Sequence, residues 1–268
     1  DIRIKEHGRT RLRFSYKTDA CSEEYEAFLR AFLPALEGHL HELGLGGRIL
    51  YHLSDEPNGE HLERYRRHLR LIKEILPDCR VMDALSDYAY RSIGIDLPVV
   101  AIDAVTPFLE SKTDIMVYYC TGQDRHFEPN CFFSTPSERN RVLGIMLYRS
   151  QAKGFLHWGY NFYNSYLSLR TLDPFYETDG GGRFQAGDAF LVYPGKEEAL
   201  ASLRLKVFAD GLQDYRLLKT LETRKGRAFV TELLDRFGYL DFFTYPHDGV
   251  SLLRLHDEAC RLLCDAKE

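Results

Sequence analysis

The sequence predicts an α/β fold, because apolar segments of strand length alternate with amphipathic segments of helix length along most of the chain. Several of the apolar segments end in polar side chains, which gather at one edge when strands are parallel. The 268 residues, 44% of them apolar, are enough to form one large core. Together these observations predict a (β/α)8 barrel of the TIM type, formed as a single domain by residues 1–268 with helices at its C-terminal end.

Seven segments have the alternation or the apolar run typical of strands. They are residues 11–16, 48–54, 80–85, 98–103, 114–120, 154–160 and, as a candidate seventh, 189–193. Strands that are separated by helices are expected to be parallel and joined by right-handed connections.

The helices are predicted from 3.6-residue periodicity and from their end signals. Ser22 is the expected N-cap of a long helix that contains Pro34, a predicted kink, and stops at Gly44. Pro77 ends the second helix. The remaining helical ranges, beginning with that second helix, are 60–76, 107–111, 136–151, 197–221, 225–237 and 249–266, and residues 162–188 are predicted to be irregular.

The strand count predicts that the barrel is incomplete at its N-terminal end. If the strand that ends at Asp55 is the fourth of eight, residues 11–16 form the third and two earlier strands are absent. An open barrel would expose unpaired edges, which natural proteins avoid. We therefore expect either that the chain is the C-terminal part of a longer protein with at least two more strand–helix units, or that residues 189–193 and part of 1–10 fill the gap.

Composition excludes several classes of protein. The formal charge of −5 and the pI near 6.1 give no basic footprint for nucleic acid. No run of about 18 apolar residues indicates a membrane span, and the compartment stays open. The six cysteines are scattered without a zinc-ligand pattern, so we expect free thiols, no metal and no cofactor.

The most informative stretch is residues 48–57, an apolar run that stops at Asp55, Glu56 and Pro57. It reads as a buried strand whose carboxyl end presents two adjacent carboxylates. Neighbours in a strand point to opposite faces, so both carboxylates can serve one site only if the strand has already ended, which the turn at Pro57 allows. The alternative is that the two carboxylates stabilise the N-terminus of the next helix.

Five segments in order resemble one known family. They are Tyr51–Pro57; Tyr118–Cys120 with Pro129 and Asn130; Gly154–Asn161; Phe190–Gly195 with Leu203 and Arg204; and Asp210–Tyr215. Across residues 22–221 the chain resembles a group of uncharacterised bacterial domains allied to glycoside hydrolase family 123. The resemblance implies a retaining β-N-acetylgalactosaminidase with a barrel domain, acting on an oligosaccharide or glycoconjugate.

The resemblance also implies the roles of the site residues. The 2-acetamido group of the substrate would attack the anomeric carbon, Asp55 would orient its N–H, and Glu56 would act as acid and base. Trp158 would form a wall for the sugar or the acetamido methyl, with core packing as the alternative. The other expected substrate contacts are Tyr119, Tyr160, Asn161, Asn130 and His52, and each of them also has a purely structural explanation.

Two alternatives remain open at this point. A second carboxylate, Asp83 or Asp103, would make the protein a two-carboxylate glycosidase on a sugar without the acetamido group. The chain also has Tyr118 and Tyr119 where a tryptophan-rich strand is expected, which allows a barrel that binds carbohydrate without catalysis. The sequence does not locate the hydrogen bonds that would separate GalNAc from GlcNAc.

Overall fold

The computed structural model describes residues 2–15, 17–123 and 127–265. They form two compact units, here named unit 1, which ends at Val99, and unit 2, which begins at Val100. Tyr16, the last residue of the first predicted strand, lies outside the described residues. None of the helices in the described part of the chain is both long enough and apolar enough to cross a membrane.

Unit 1 begins with a hairpin. Strands β1 (Ile2–Glu6) and β2 (Arg9–Phe14) are antiparallel, and the two residues between them, His7 and Gly8, have φ angles of 49° and 77°. A two-residue connection with left-handed residues gives antiparallel pairing, whereas parallel strands need a long crossover. The prediction that residues 11–16 form the third strand of a parallel barrel is therefore wrong.

The long helix predicted after Ser22 is confirmed as α1 (Glu23–Glu42). The Ser22 hydroxyl accepts the backbone N–H of Tyr25 and satisfies a donor that the first turn leaves without a helical partner. Pro34 lies inside the helix. Gly44 follows the last turn with a φ of 72°, which ends the helix where the sequence predicted.

The second predicted helix is confirmed as α2 (Leu62–Ile75). A short 3-10 turn over Gly59–His61 precedes it, capped by the Asn58 side chain, which accepts the backbone N–H of Glu60. The helix is amphipathic, and its buried face consists of Tyr65, Leu69, Leu71 and Ile72. This apolar stripe explains why the segment folds as a helix despite its four arginines.

Four of the predicted strands are present, each shorter than predicted. They are β3 (Met82–Ala84), β4 (Leu97–Ala101), β5 (Met116–Tyr118) and β6 (Phe155–Leu156). They form one sheet in the order β3-β4-β5-β6, with β3 parallel to β4 and β5 parallel to β6. Residues 97–101 are all buried, as expected for a strand covered on both faces.

The predicted buried strand at 48–54 is not a regular strand. Tyr51 makes a single parallel bridge to Val81, and His52 is exposed. Beyond the bridge, the backbone N–H groups of Leu53 and Ser54 donate to the Asp83 carboxylate instead of to a neighbouring strand. Strand pairing ends here because the Asp83 side chain accepts the backbone N–H groups that a neighbouring strand would otherwise accept.

In unit 2 the helices agree with the predictions in place. They are α3 (Thr106–Glu110), α4 (Ser137–Arg141), α5 (Leu143–Ser150), α6 (Leu203–Lys225), α7 (Arg227–Arg236) and α8 (Gly249–Cys264). Val142 separates α4 from α5 within the predicted range 136–151. A Cβ atom built on Gly144 of α5 would lie 1.8 Å from the carbonyl oxygen of Gly211 in α6, so two glycines allow these helices their close approach.

A second hairpin replaces the candidate seventh strand and the start of one helix. Strands β7 (Val192–Pro194) and β8 (Ala199–Ala201) are antiparallel to each other, and Ser202 then caps α6. In the described part of the chain, neither hairpin belongs to the four-stranded sheet. The alternative that residues 189–193 and part of 1–10 fill a gap in the barrel is therefore wrong, as is the helix start at 197.

The described residues thus establish a mixed α/β fold with a parallel four-stranded sheet. The irregular segment predicted at 162–188 is confirmed, with one 3-10 turn over Tyr166–Ser168 and an isolated bridge between Asn164 and Thr171. A complete eight-stranded barrel stays a prediction.

Candidate active site

In unit 1, Asp55 and Glu56 lie in the loop between the Tyr51 bridge and the capped turn at Asn58. Both are exposed, and both line one cleft of about 240 Å³. Glu56 has a φ of 43°, and its backbone N–H donates to the carbonyl oxygen of Ala84 at 3.0 Å. The left-handed residue ends the extended geometry, which is how two consecutive side chains reach the same cleft.

The walls of this cleft come from the same loop and from helix α2. Pro57 and Tyr65 are buried, whereas Arg64 and His61 add exposed donors. Arg64 also lies 3.9 Å from Asp19, a long and exposed ion pair of little energetic weight. The cleft therefore combines acidic and basic groups over a partly apolar floor, a lining suited to a polar ligand.

A buried carboxylate beneath the loop holds it in place. Asp83 is 0% exposed, and its Oδ1 accepts the backbone N–H of Leu53 at 2.8 Å and of Ser54 at 3.3 Å. Its Oδ2 accepts the Tyr65 hydroxyl, and Nδ1 of His52 lies 2.5 Å from Oδ1. Burial raises the pKa of Asp83, and these donors oppose the rise.

These contacts give Asp83 a structural role, the alternative to its being a second catalytic carboxylate, and identify the loop that it holds. Its only signal was an acidic residue in the middle of an otherwise apolar strand. They also place His52, a predicted substrate contact, with its ring half exposed and one nitrogen engaged by Asp83.

Two predicted substrate contacts in unit 2 are interior residues. Tyr119 is 1% exposed and packs against the rings of Phe155 and His157. Asn130 is 0% exposed and donates to the carbonyl oxygens of Cys120 and Gln123. Neither presents surface to a sugar in this structure, so the expected direct contacts are corrected to structural roles.

Three other predicted contacts lie close together in the sequence on the surface of unit 2. Trp158 is 37% exposed and Tyr160 is 51% exposed, and Asn161 is also exposed. The Trp158 ring packs beside Phe162 and Phe184, and its Nε1–H donates to Asp188 Oδ2 at 3.1 Å. Tryptophan and tyrosine rings with one free face are typical sugar-binding surfaces because they combine apolar area with a polar group.

The structure thus separates the predicted site residues into three groups. His52, Asp55 and Glu56 belong to unit 1. Three residues, Trp158, Tyr160 and Asn161, belong to the surface of unit 2, and two, Tyr119 and Asn130, belong to its interior. Within residues 2–15, 17–123 and 127–265, no three His, Cys, Asp or Glu side chains are grouped in a way that could hold a metal ion.

Glycoside hydrolases use carboxyl groups at their reaction centre, and Asp55 and Glu56 place two of them in one cleft. The family model described as glycoside hydrolase 123, catalytic domain, matches residues 1–221. The chain therefore belongs to glycoside hydrolase family 123.

Solved structures agree with this assignment at the level of the fold. A family 123 glycoside hydrolase from Clostridium perfringens, described for its hydrolysis of glycolipid glycans, matches with a TM-score of 0.61 and 17% sequence identity. The match covers 91% of this chain and 45% of that chain, so the present sequence spans less than half the length of that protein. Among curated protein sequences, none matches the chain.

Proposed function

We propose that the protein is a retaining glycoside hydrolase that removes terminal β-linked N-acetylhexosamine, with GalNAc as the preferred sugar, by substrate-assisted catalysis. The substrate is an oligosaccharide or a glycoconjugate. The observation that carries the proposal is that Asp55 and Glu56, adjacent in sequence, line one cleft. The family 123 membership supports hydrolysis of a glycosidic bond, and the finer steps rest on the chemistry of this pair.

The proposed reaction has two steps. In the first, the carbonyl oxygen of the 2-acetamido group bonds to the anomeric carbon as the glycosidic bond breaks, and Glu56 gives a proton to the leaving oxygen. Asp55 accepts a hydrogen bond from the acetamido N–H and stabilises the positive charge of the oxazolinium ion. In the second step, Glu56 takes a proton from water, and the water oxygen bonds to the anomeric carbon. The bond between this carbon and the acetamido oxygen breaks, which opens the oxazolinium ring and leaves the anomeric configuration retained.

The backbone around the pair supports its fixed placement. Leu53 and Ser54 are tied to the buried Asp83, and the N–H of Glu56 is tied to the end of β3. A catalytic group held from both sides loses little entropy on reaching its reactive position. In unit 2, the exposed Trp158, Tyr160 and Asn161 are proposed as substrate contacts, as is the half-exposed His52 in unit 1.

The alternative with a second catalytic carboxylate finds little support in the surroundings of Asp83. Both of its oxygens accept hydrogen bonds from protein groups and the side chain is fully buried, so a nucleophilic oxygen would first have to lose these partners. Asp103 in unit 2 is exposed and accepts weak hydrogen bonds from Gln123. It remains the carboxylate to test if Glu56 and Asp55 prove insufficient.

We further propose that residues 1–268 belong to a single catalytic (β/α)8 barrel domain. Four parallel strands and the similarity to a family 123 structure support the barrel. An experimental structure of the full-length protein that shows fewer than eight strands around one axis would contradict it.

The function is tested with the full-length protein on aryl β-GalNAc, aryl β-GlcNAc and aryl β-galactoside. We expect hydrolysis of the acetamido sugars and at most trace turnover of the galactoside, which lacks the internal nucleophile. Glu56→Gln should lower kcat/KM by about 10²–10⁴-fold. The loss should be larger on a disaccharide than on an aryl glycoside, since an aryl leaving group needs less protonation.

Glu60→Gln is the matched control, because Glu60 is an exposed glutamate four residues further on that does not line the cleft. Its activity should equal that of the wild type. Equal turnover of the galactoside would favour the two-carboxylate alternative. Binding of β-GalNAc oligosaccharides with no product from any of the three substrates would instead favour a non-catalytic carbohydrate-binding protein.

A further inference from the structure

The side chain of Trp158 is held by a buried carboxylate from the end of the irregular segment. Asp188 is 0% exposed, and its Oδ2 accepts the indole Nε1–H at 3.1 Å. The ring centroid of Trp158 lies 5.3 Å from that of Phe162 and 4.9 Å from that of Phe184. Two rings alone would permit the indole to slide or flip, whereas one directed hydrogen bond selects a single orientation.

The backbone that carries Asp188 is itself fixed. The Arg204 guanidinium donates to the carbonyl oxygens of Gly187 and Phe190, on either side of Asp188, and to that of Cys131. The same guanidinium lies 4.7 Å from the ring centroid of Phe133. Arginine suits this role because its planar fork of donors can satisfy several carbonyl groups at once.

The strand-end backbone beside Trp158 lies directly against this loop. A Cβ atom built on Gly159 would lie 2.4 Å from the carbonyl oxygen of Asp188, so only glycine permits the contact. Asp188 therefore touches the Trp158–Gly159 pair through both its side chain and its backbone.

The protonation state of Asp188 changes just below neutral pH. Burial raises the pKa of Asp188 to about 6, and the indole N–H, the Thr121 backbone N–H and the positive charge of Arg204 oppose the rise. The other titratable groups that sense this carboxylate are Tyr119 and Cys131, whose pKa values are raised by their own burial. The carboxylate is thus ionised at pH 7 and becomes protonated as the pH falls below about 6.

We propose that Asp188 is a positioning residue, which fixes the indole plane of Trp158 as the sugar-contacting surface of unit 2. The contact of Trp158 with sugar rests on the proposed function, whereas the control of the indole by Asp188 does not. A hydrogen bond to a carboxylate is roughly twice as strong as one to a neutral acceptor, so protonation of Asp188 loosens the ring. Substrate affinity should therefore fall as the pH falls below about 6.

The first test needs no substrate. Trp158 is the only tryptophan in the sequence, and subtracting the emission of a Trp158→Phe variant isolates its fluorescence in the full-length protein. We expect its emission to titrate with a midpoint near pH 6, and Asp188→Asn to abolish the transition. A transition that persists in Asp188→Asn, or a wild-type emission that is flat from pH 4.5 to 8, would overturn the proposal.

The second test measures hydrolysis of aryl β-GalNAc at pH 7. Asp188→Asn should raise KM by about three- to tenfold with kcat little changed, because a charge-assisted hydrogen bond becomes a neutral one. In the Trp158→Phe background the same substitution should change KM no further, since Asp188 acts through the indole. Additive effects of the two substitutions on KM would contradict the positioning role.

Asp173→Asn is the matched control for both tests. Asp173 is an exposed aspartate of the same irregular segment whose Oδ1 accepts the backbone N–H of Phe175, a bond that asparagine can keep. Emission and KM should match the wild type. If no substrate is hydrolysed at all, the proposed function fails, and the fluorescence titration still decides whether Asp188 controls Trp158.

Discussion

The buried carboxylate of Asp83 accepts the backbone N–H of Leu53 at 2.8 Å, so an interior side chain fixes the loop that presents Asp55 and Glu56. The segment from 52 to 54 has lost its strand partners by this point, and the carboxylate substitutes for them. The placement of these two carboxylates therefore depends on a residue that lies beneath the cleft and does not line it.

We predict that Asp83→Asn lowers both stability and activity. The amide can accept fewer of these bonds, so buried donors are left unsatisfied and the free energy of unfolding should fall by about 2–3 kcal/mol. The kcat/KM for aryl β-GalNAc should fall at least about tenfold, since small displacements of catalytic groups are costly. Urea unfolding and steady-state kinetics measure the two effects. Asp78→Asn, an exposed control in unit 1, should change neither, and an unaltered unfolding midpoint for Asp83→Asn would refute the role.

His157 should make unit 2 less stable in acid. Burial, with a smaller effect of the Arg204 charge, lowers the pKa of His157 from 6.5 to about 4. The unfolded chain therefore binds the proton more readily, and the stability this group contributes is complete above pH 6.5 and is lost as the pH falls through about 4. The difference amounts to about 2–3 kcal/mol for this partly accessible ring.

The measurement is the free energy of unfolding at pH 7 and pH 4 for the wild type and for His157→Gln. The wild type should lose more stability on acidification than His157→Gln. The pH dependence of stability that Asp188 contributes has the opposite sign. Its raised pKa stabilises the fold below pH 3.8, and that contribution is lost as the pH rises through about 6. Only the difference between variants isolates His157. The control is His39→Gln, since His39 is an exposed histidine on α1. This variant should lose as much unfolding free energy between pH 7 and pH 4 as the wild type.

The glycine contact between α5 and α6 predicts an unequal response to alanine. In Gly144→Ala the new methyl would lie 1.8 Å from the Gly211 carbonyl oxygen, so the helices must separate and the free energy of unfolding should fall by at least about 2 kcal/mol. Gly38→Ala on α1 meets no atom within 4 Å and should stabilise the protein by about 0.5–1 kcal/mol through helix propensity. Thermal unfolding of the two variants provides the comparison, and shifts of the same sign would contradict the packing argument.

An ion pair between the buried Asp214 and the partly exposed Arg141 in unit 2 should contribute to stability but not to catalysis. Arg141 donates to both oxygens of Asp214, at 2.7 and 3.0 Å, and His256 Nδ1 lies 2.7 Å from Oδ1. Asp214→Asn removes the carboxylate that accepts both guanidinium hydrogen bonds and should cost about 1.5–3 kcal/mol of unfolding free energy. The activity of the fraction that remains folded should equal that of the wild type. Asp210→Asn, exposed one turn earlier on α6, is the control and should be neutral in chemical denaturation.

Local signals in the sequence were sufficient for the helices, apart from the start of α6 at Leu203. The Ser22 hydroxyl and the left-handed Gly44 define the ends of α1 through interactions within a few residues, so they can be recognised without knowledge of the fold. The apolar runs around β3 to β6 were likewise placed correctly, because burial on both faces of a strand demands continuous apolar sequence. The adjacent carboxylates after an apolar run predicted Asp55 and Glu56 as candidates on the same local basis, and both line one cleft.

The sequence did not show which strands pair with each other or which distant side chains bond to the backbone. Residues 11–14 and 192–194 have strand sequences, but their short connections place them in antiparallel hairpins and not in the parallel sheet. The pattern in 48–54 did not predict that Asp83, about thirty positions away, accepts the backbone N–H groups of Leu53 and Ser54. A sequence pattern reflects the tendency of each residue to be buried. Strand pairing depends on which residues from distant parts of the chain lie next to a segment in the folded protein.

The sequence by itself therefore determined the class of the fold, the helices and the identity of Asp55 and Glu56 as candidates, because each depends on periodicity or on near neighbours. Only the tertiary structure decided that Tyr119 and Asn130 are interior residues, that Trp158 is exposed, and that Asp83 and Asp188 lie buried behind the surfaces they orient. A buried carboxylate is stabilised only by donors that the fold brings to it from far along the chain, so its role arises when the chain is folded.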